Sequence, residues 1–108
     1  MKIVDINYTT MDGVVKSTTL TSVDRCYEVY SYKSRELILQ VSAEIEDTVM
    51  QELMRGTTTS IVLKDPVEDG YNEKLITNYS HIKTINKEYD DLLNDKYVIY
   101  YHVSFEAE

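Results

Sequence analysis

Two histidines, one cysteine and several carboxylate clusters are the groups in this chain that could do chemistry. His81 and His102 could bind a metal or relay protons if two neighbouring strands brought them together. Spacing places no third ligand, so the simpler reading is two ordinary sheet histidines. Cys26 could act as a nucleophile only with a base beside it, and nothing in the sequence supplies one. A lone cysteine is more simply a buried structural residue, since Cys is among the most buried residue types. Asp90 with Asp91 reads as a turn, and Glu44, Glu46 and Asp47 read as acids favoured by a helix N-terminus. There is no phosphate-binding loop, dinucleotide fingerprint or nucleophile elbow. The expectation is a protein that is not an enzyme, with no catalytic residues, no cofactor and no metal.

Ten tyrosines in 108 residues, against one Phe and no Trp, are the more unusual feature. Tyrosine joins a large apolar ring to a polar tip and is enriched at protein interfaces. Tyr30, Tyr32, Tyr100 and Tyr101 are candidates for an interface ridge on a sheet face. Glu68 and Asp69, in an acidic loop, are candidates for an acidic contact.

The elements that would position these groups are mostly strands. Tyr97, Ile99, Tyr101, Val103 and Phe105 alternate with Val98, Tyr100, His102, Ser104 and Glu106, which is the repeat of a strand with one core-facing side. Lys2–Thr9 alternates similarly, and Asp12-Gly13 after it signals a type I′ hairpin turn. Val14–Val23 and Cys26–Tyr32 read as two strands separated by a turn at Ser22–Arg25. Glu36–Val41 is a further strand. Ser42–Gly56 is the one clear helix: Ser42 as cap, an apolar stripe of Ile45, Val49, Met50, Leu53 and Met54, and Gly56 as a left-handed stop. Thr57–Lys64 is β-branched and is ended by Asp65-Pro66, with an acidic loop at Val67–Asn72. Residues 73–94 admit two readings. Leu75, Tyr79, Ile82 and Ile85 have helical spacing, yet the segment is rich in poor helix formers. The composition favours a strand at about 74–87 and a turn near Asp90–Asp95 that leads into the last strand. The fold class expected is α+β, mainly β: an antiparallel sheet or small β-sandwich with one amphipathic helix at about 42–56. The whole chain, 1–108, reads as a single domain.

Net charge is −8, with ten acids against four bases in residues 65–108. That balance disfavours direct binding of nucleic acid, where Lys and Arg must neutralise phosphate, and it disfavours anionic membranes. No apolar run approaches the ~20 residues of a membrane helix, and Met1–Asp5 lacks a signal-peptide core. The expected location is the cytoplasm of the producing cell.

From Glu44 onward, the order of features carries a family resemblance. A short helix, Glu46–Gly56, leads into a Thr-rich strand ending in Leu63-Lys64-Asp65-Pro66. Ile82-Lys83-Thr84-Ile85 and the closing run Tyr97–Glu106 follow. This order resembles the β-sandwich modules of tailed-phage tail and baseplate proteins, such as distal tail proteins. The chain is far shorter than distal tail proteins, so a stand-alone tail or connector component is the nearer analogue. The resemblance implies a non-enzymatic structural protein of a phage tail, connector or tail-like particle. Its partners would be copies of itself or other particle proteins, and it would be found in the virion. The acidic C-terminal half supports a different expectation, a small phage-encoded inhibitor that binds a host or defence protein, with mimicry of nucleic acid as one route.

Overall fold

The computed structural model describes residues 2–89 and 95–104. Its elements are β1 (Lys2–Thr9), β2 (Val15–Tyr30), β3 (Ser34–Val41), α1 (Asp47–Arg55), β4 (Thr57–Val67), β5 (Gly70–Ile76), β6 (Ile82–Tyr89) and β7 (Asp95–Ser104). The strands form one seven-stranded sheet in the order β5-β4-β1-β2-β3-β7-β6, and every pairing is antiparallel. The mainly-β α+β class with a single short helix is therefore the fold.

β2 turns the corner of this sheet. Its first part, as far as Val23, pairs with β1, and from Val23 to Tyr30 it pairs with β3. Register slips near Val23 in both pairings, and Ser22 adopts φ 56°. The turn expected at Ser22–Arg25 is thus a β-bulge inside one sixteen-residue strand. The small polar residues that read as a turn also tolerate the left-handed backbone of a bulge. The end of β3 is tied to it: the Ser42 hydroxyl donates to Asp24, and the Ser42 N–H donates to the Ser22 carbonyl over 3.0 Å. A strand that changes partner at a bulge lets a sheet fold over on itself. Here it does so far enough that Thr58 of β4 and Tyr101 of β7 meet, hydroxyl to hydroxyl, at 3.2 Å.

The core fills the inside of that fold. Val4, Ile6 and Tyr8 of β1 alternate inward, as do Leu37, Leu39 and Val41 of β3, Ile61 and Leu63 of β4, and Tyr97, Ile99 and Tyr101 of β7. Val98, expected on the polar side of β7, is also buried; it and Ile38 lie outside the main cluster, on the opposite face. Residues 73–89 hold no helix, and the one strand expected at about 74–87 is instead the end of β5 and all of β6, which pairs with β7 from Ile82–Tyr101 to Tyr89–Asp95. The chain breaks between β5 and β6, where Asn78 adopts φ 71°. That break lets Ile76, Tyr79 and Ile82 all reach the core, whereas Leu75, which began the helix-like spacing, is exposed. The turn expected near Asp90, the Asp90–Asp91 pair, Phe105 and Glu106 lie outside the described residues.

Four local expectations are corrected. The Asp12-Gly13 hairpin exists, but only Gly13 has positive φ (83°), and its N–H donates to the Thr10 carbonyl over 2.9 Å. It is a type I turn with a glycine bulge, not type I′. α1 begins at Asp47; Glu46 is the N-cap without a side-chain bond, since Ser42 is engaged at the bulge. Gly56 is not a left-handed stop, because its φ is −86°. It is needed because a Cβ there would sit 2.4 Å from the Thr9 carbonyl oxygen. Finally, β4 continues through Pro66 to Val67, and Glu68-Asp69 turn tightly into β5. β1 ends its pairing with β4 at Lys64, so the strand beyond has an open side that suits proline.

Candidate assembly surfaces and a buried polar cluster

The inward face of the second half of β2 carries Cys26, Glu28 and Tyr30, opposite Leu39, Leu37 and Arg35 of β3. Glu28 is the centre of a polar cluster. Its carboxylate accepts from the Tyr79 hydroxyl at 2.9 Å and from the Tyr30 hydroxyl at 3.0 Å. Arg35 Nε lies 3.9 Å away and Lys74 Nζ 4.0 Å away. The Arg35 guanidinium also sits 4.9 Å over the Tyr79 ring, and Tyr79 meets Tyr101 edge-on at 6.0 Å. Burial, then the bond to Glu28, raises the Tyr79 phenol; burial pushes Tyr101 up to about 12. Two hydroxyls donate to the carboxylate and two cations flank it, while the buried Arg35 Nε has no hydrogen-bond partner among the described residues. Sequence reasoning missed the cluster, because its members come from β2, β3, β5 and the β5–β6 loop.

A cleft of about 240 Å3 opens beside Glu28, lined among others by Cys26, Leu63, Lys74 and Ile76. The Cys26 thiol is pushed up to about 11, first by burial. It is protonated near neutral pH, where the thiolate would be the nucleophile. The histidines are separately engaged. His102 Nδ1 is 3.0 Å from Glu36 Oε1, with Lys83 Nζ 3.8 Å from the same oxygen, and His81 Nδ1 is 2.9 Å from the Ser80 hydroxyl. Among the described residues no group of three His, Cys, Asp or Glu could hold a metal ion. Of the helix acids, Glu44 accepts from the Tyr97 hydroxyl at 3.3 Å.

The four candidate interface tyrosines do not form one ridge. Tyr101 is fully buried (0% exposed), and Tyr100 faces the other side of β7, as the period of two requires. Tyr30 is exposed at the end of β2 although its hydroxyl is bound, and Tyr32 in the β2–β3 turn is 94% exposed. Glu68 and Asp69 are exposed at the β4–β5 turn.

The sheet has two edges, β5 and β6. β5 is exposed from Gly70 to Leu75, and it shows Tyr71 (51%) and Leu75 (62%) to solvent. Next to it, the outer face of the sheet carries a charge lattice. Lys64 lies 2.8 Å from Asp5 and 3.8 Å from Glu73, and the Thr19 hydroxyl donates to Asp5 over 2.6 Å. Hydrogen bonds from Lys64 and Thr19 hold the Asp5 carboxyl below the usual range.

No family model, curated protein or solved structure matches this chain. Among the described residues no helix is long and apolar enough to cross a membrane.

Proposed function

We propose that the protein is a non-enzymatic structural component of a phage tail, connector or related tail-like particle, assembling through sheet edges and tyrosine-bearing turns. One observation carries this reading: β5 is an edge strand with unpaired backbone groups, and beside the charges of Glu73 and Lys74 it displays Tyr71 and Leu75 to solvent. An exposed strand of that kind is a template for another chain. The order of elements from α1 to β7, which resembles that of tail and baseplate modules, supports the particle context. The partners are further copies or other particle proteins, made in the bacterial host and carried in the virion.

The test is a tagged pull-down from a culture carrying the source genome, before and after induction of any resident phage, read by mass spectrometry. Co-purification with several tail or capsid proteins at fixed ratios is the expected result. Absence of the protein from intact particles overturns it.

A second reading, an acidic inhibitor of a host or defence protein, rests on Glu68 and Asp69, which are exposed and make no ion pair among the described residues. It predicts capture of one host protein, lost steeply as salt rises. Capture insensitive to salt removes it.

A further inference from the structure

The two turns that flank β2 are unlike. At its start the β1–β2 turn stands beside α1, and together they enclose a groove of about 440 Å3. Met11 and Val14 of the turn line it, with Gln51 and Arg55 of the helix. Met11 is 76% exposed and Val15, just outside the groove, 78%. Apolar side chains gathered at a polar rim mark a contact surface. Of the four charges in the groove, Lys16 and Glu52 neutralise each other at 2.7 Å. Asp12 and Arg55 have no ion-pair partner among the described residues. The groove therefore offers an apolar wall, one free carboxylate and one free guanidinium.

At the other end, the β2–β3 turn displays what this groove lacks. Tyr32 projects almost wholly into solvent, with the Lys33 ammonium 6.0 Å from its ring centre. Lys33 makes no ion pair among the described residues. The turn is held in shape: the Ser31 N–H donates to the Ser34 carbonyl over 2.8 Å, and the two serine hydroxyls meet at 2.7 Å. An aromatic ring suits an apolar wall and stacks well under a guanidinium. An unpaired ammonium suits an unpaired carboxylate.

We propose that the β2–β3 turn of one copy docks into the β1–β2/α1 groove of a second copy, with Tyr32 against Met11, Val14 and Arg55, and Lys33 beside Asp12. This deepens the assembly reading, and rests on it, by naming the partner as this same chain. The turns lie at opposite ends of the sixteen-residue β2, and Tyr32 stands almost wholly in solvent, so a copy does not fill its own groove. Because turn and groove are different surfaces, each copy both gives and receives. Such a contact closes into a ring or continues as an open chain.

Sedimentation velocity on the full chain across a wide concentration range tests this. The wild type is expected to associate beyond a dimer as concentration rises. Tyr32→Ala, which disables the turn, and Asp12→Lys, which disables the groove, are each expected to lose at least about tenfold in self-affinity. Mixed together they should form a one-to-one dimer that grows no further, since the intact turn of Asp12→Lys fits the intact groove of Tyr32→Ala. Lys33→Asp replaces Tyr32→Ala if the latter melts below the wild type. A wild type that stays monomeric, variants that associate as the wild type does, or a mixture that stays monomeric each overturn the docking. A monomeric protein that still co-purifies with particle proteins sinks only the docking. A self-docking protein absent from particles sinks only the particle reading.

Discussion

The Tyr79 hydroxyl donates to the Glu28 carboxylate over 2.9 Å, joining the loop between the two edge strands to the inward face of β2. The bond pins that loop where the sheet folds over. Removing the carboxylate leaves the Tyr79 and Tyr30 hydroxyls without their shared acceptor and Arg35 without its nearby countercharge. Glu28→Ala should cost about 1–3 kcal/mol, and Tyr79→Phe, which deletes one neutral donor, about 1 kcal/mol. Urea denaturation of both variants measures this. Equal losses would mean that the carboxylate does not organise the cluster.

Gly56→Ala should destabilise, by about 1–3 kcal/mol, through a forced shift at the helix–β1 contact. The sign is the test. Where backbone and space permit it, replacing glycine by alanine stabilises by about 0.4–1 kcal/mol. The backbone at Gly56 is ordinary, so a loss comes from the Cβ meeting the carbonyl oxygens of Thr9 and Glu52. A melting temperature equal to or above the wild type would refute the close approach.

The Asp5–Lys64 pair makes stability depend on acid. The Asp5 carboxyl is lowered in the folded chain, chiefly by its bond to Lys64. The unfolded chain therefore binds the proton more readily. The contribution is present above the unfolded value and is lost as pH falls through the folded one. Between about pH 5 and about pH 3 the wild type should lose more stability than Asp5→Asn. Parallel curves of unfolding free energy against pH would count against the pair.

Cys26 gives the opposite limb. With its thiol raised from 9.0 to about 11, the folded chain holds the proton longer than the unfolded one. Stability from this group is full below the unfolded value and falls as pH rises towards 11. Alkylation by iodoacetamide should be slow near pH 8 and accelerate only at strongly alkaline pH. Rapid modification of folded protein near neutrality would show a thiolate that the burial of Cys26 does not permit.

How much of this was legible in the sequence depended on where each choice is made. β1 could be read residue by residue, since its alternation reflects a single buried face; β7 could be read only in part, because Val98 is buried on its other side. The helix was legible through Leu53 and its stripe, but its start was not, because Ser42 is committed to Asp24 on another strand. The bulge at Ser22 looked like a turn because local chemistry is shared between the two, and only pairing with both β1 and β3 decides for the strand. Tyr101 was placed on a surface because residue type alone does not say which side of β7 lies inward. Glu28 gave no signal at all. Its partners Tyr79 and Arg35 reach it only after the sheet has curled.

β2 belongs to both halves of the sheet, and this sets how the chain must fold and open. Neither half can be completed locally: Ile3 waits for Lys64, and Leu37 waits for Tyr101. Loops of that length must close before their contacts reward them, which places folding in the slow range of milliseconds to seconds. A strand common to both halves also denies either one a separate melting step. Amide exchange should find β1 and β7 opening together, in one event, with the free edge of β5 releasing its protons earlier.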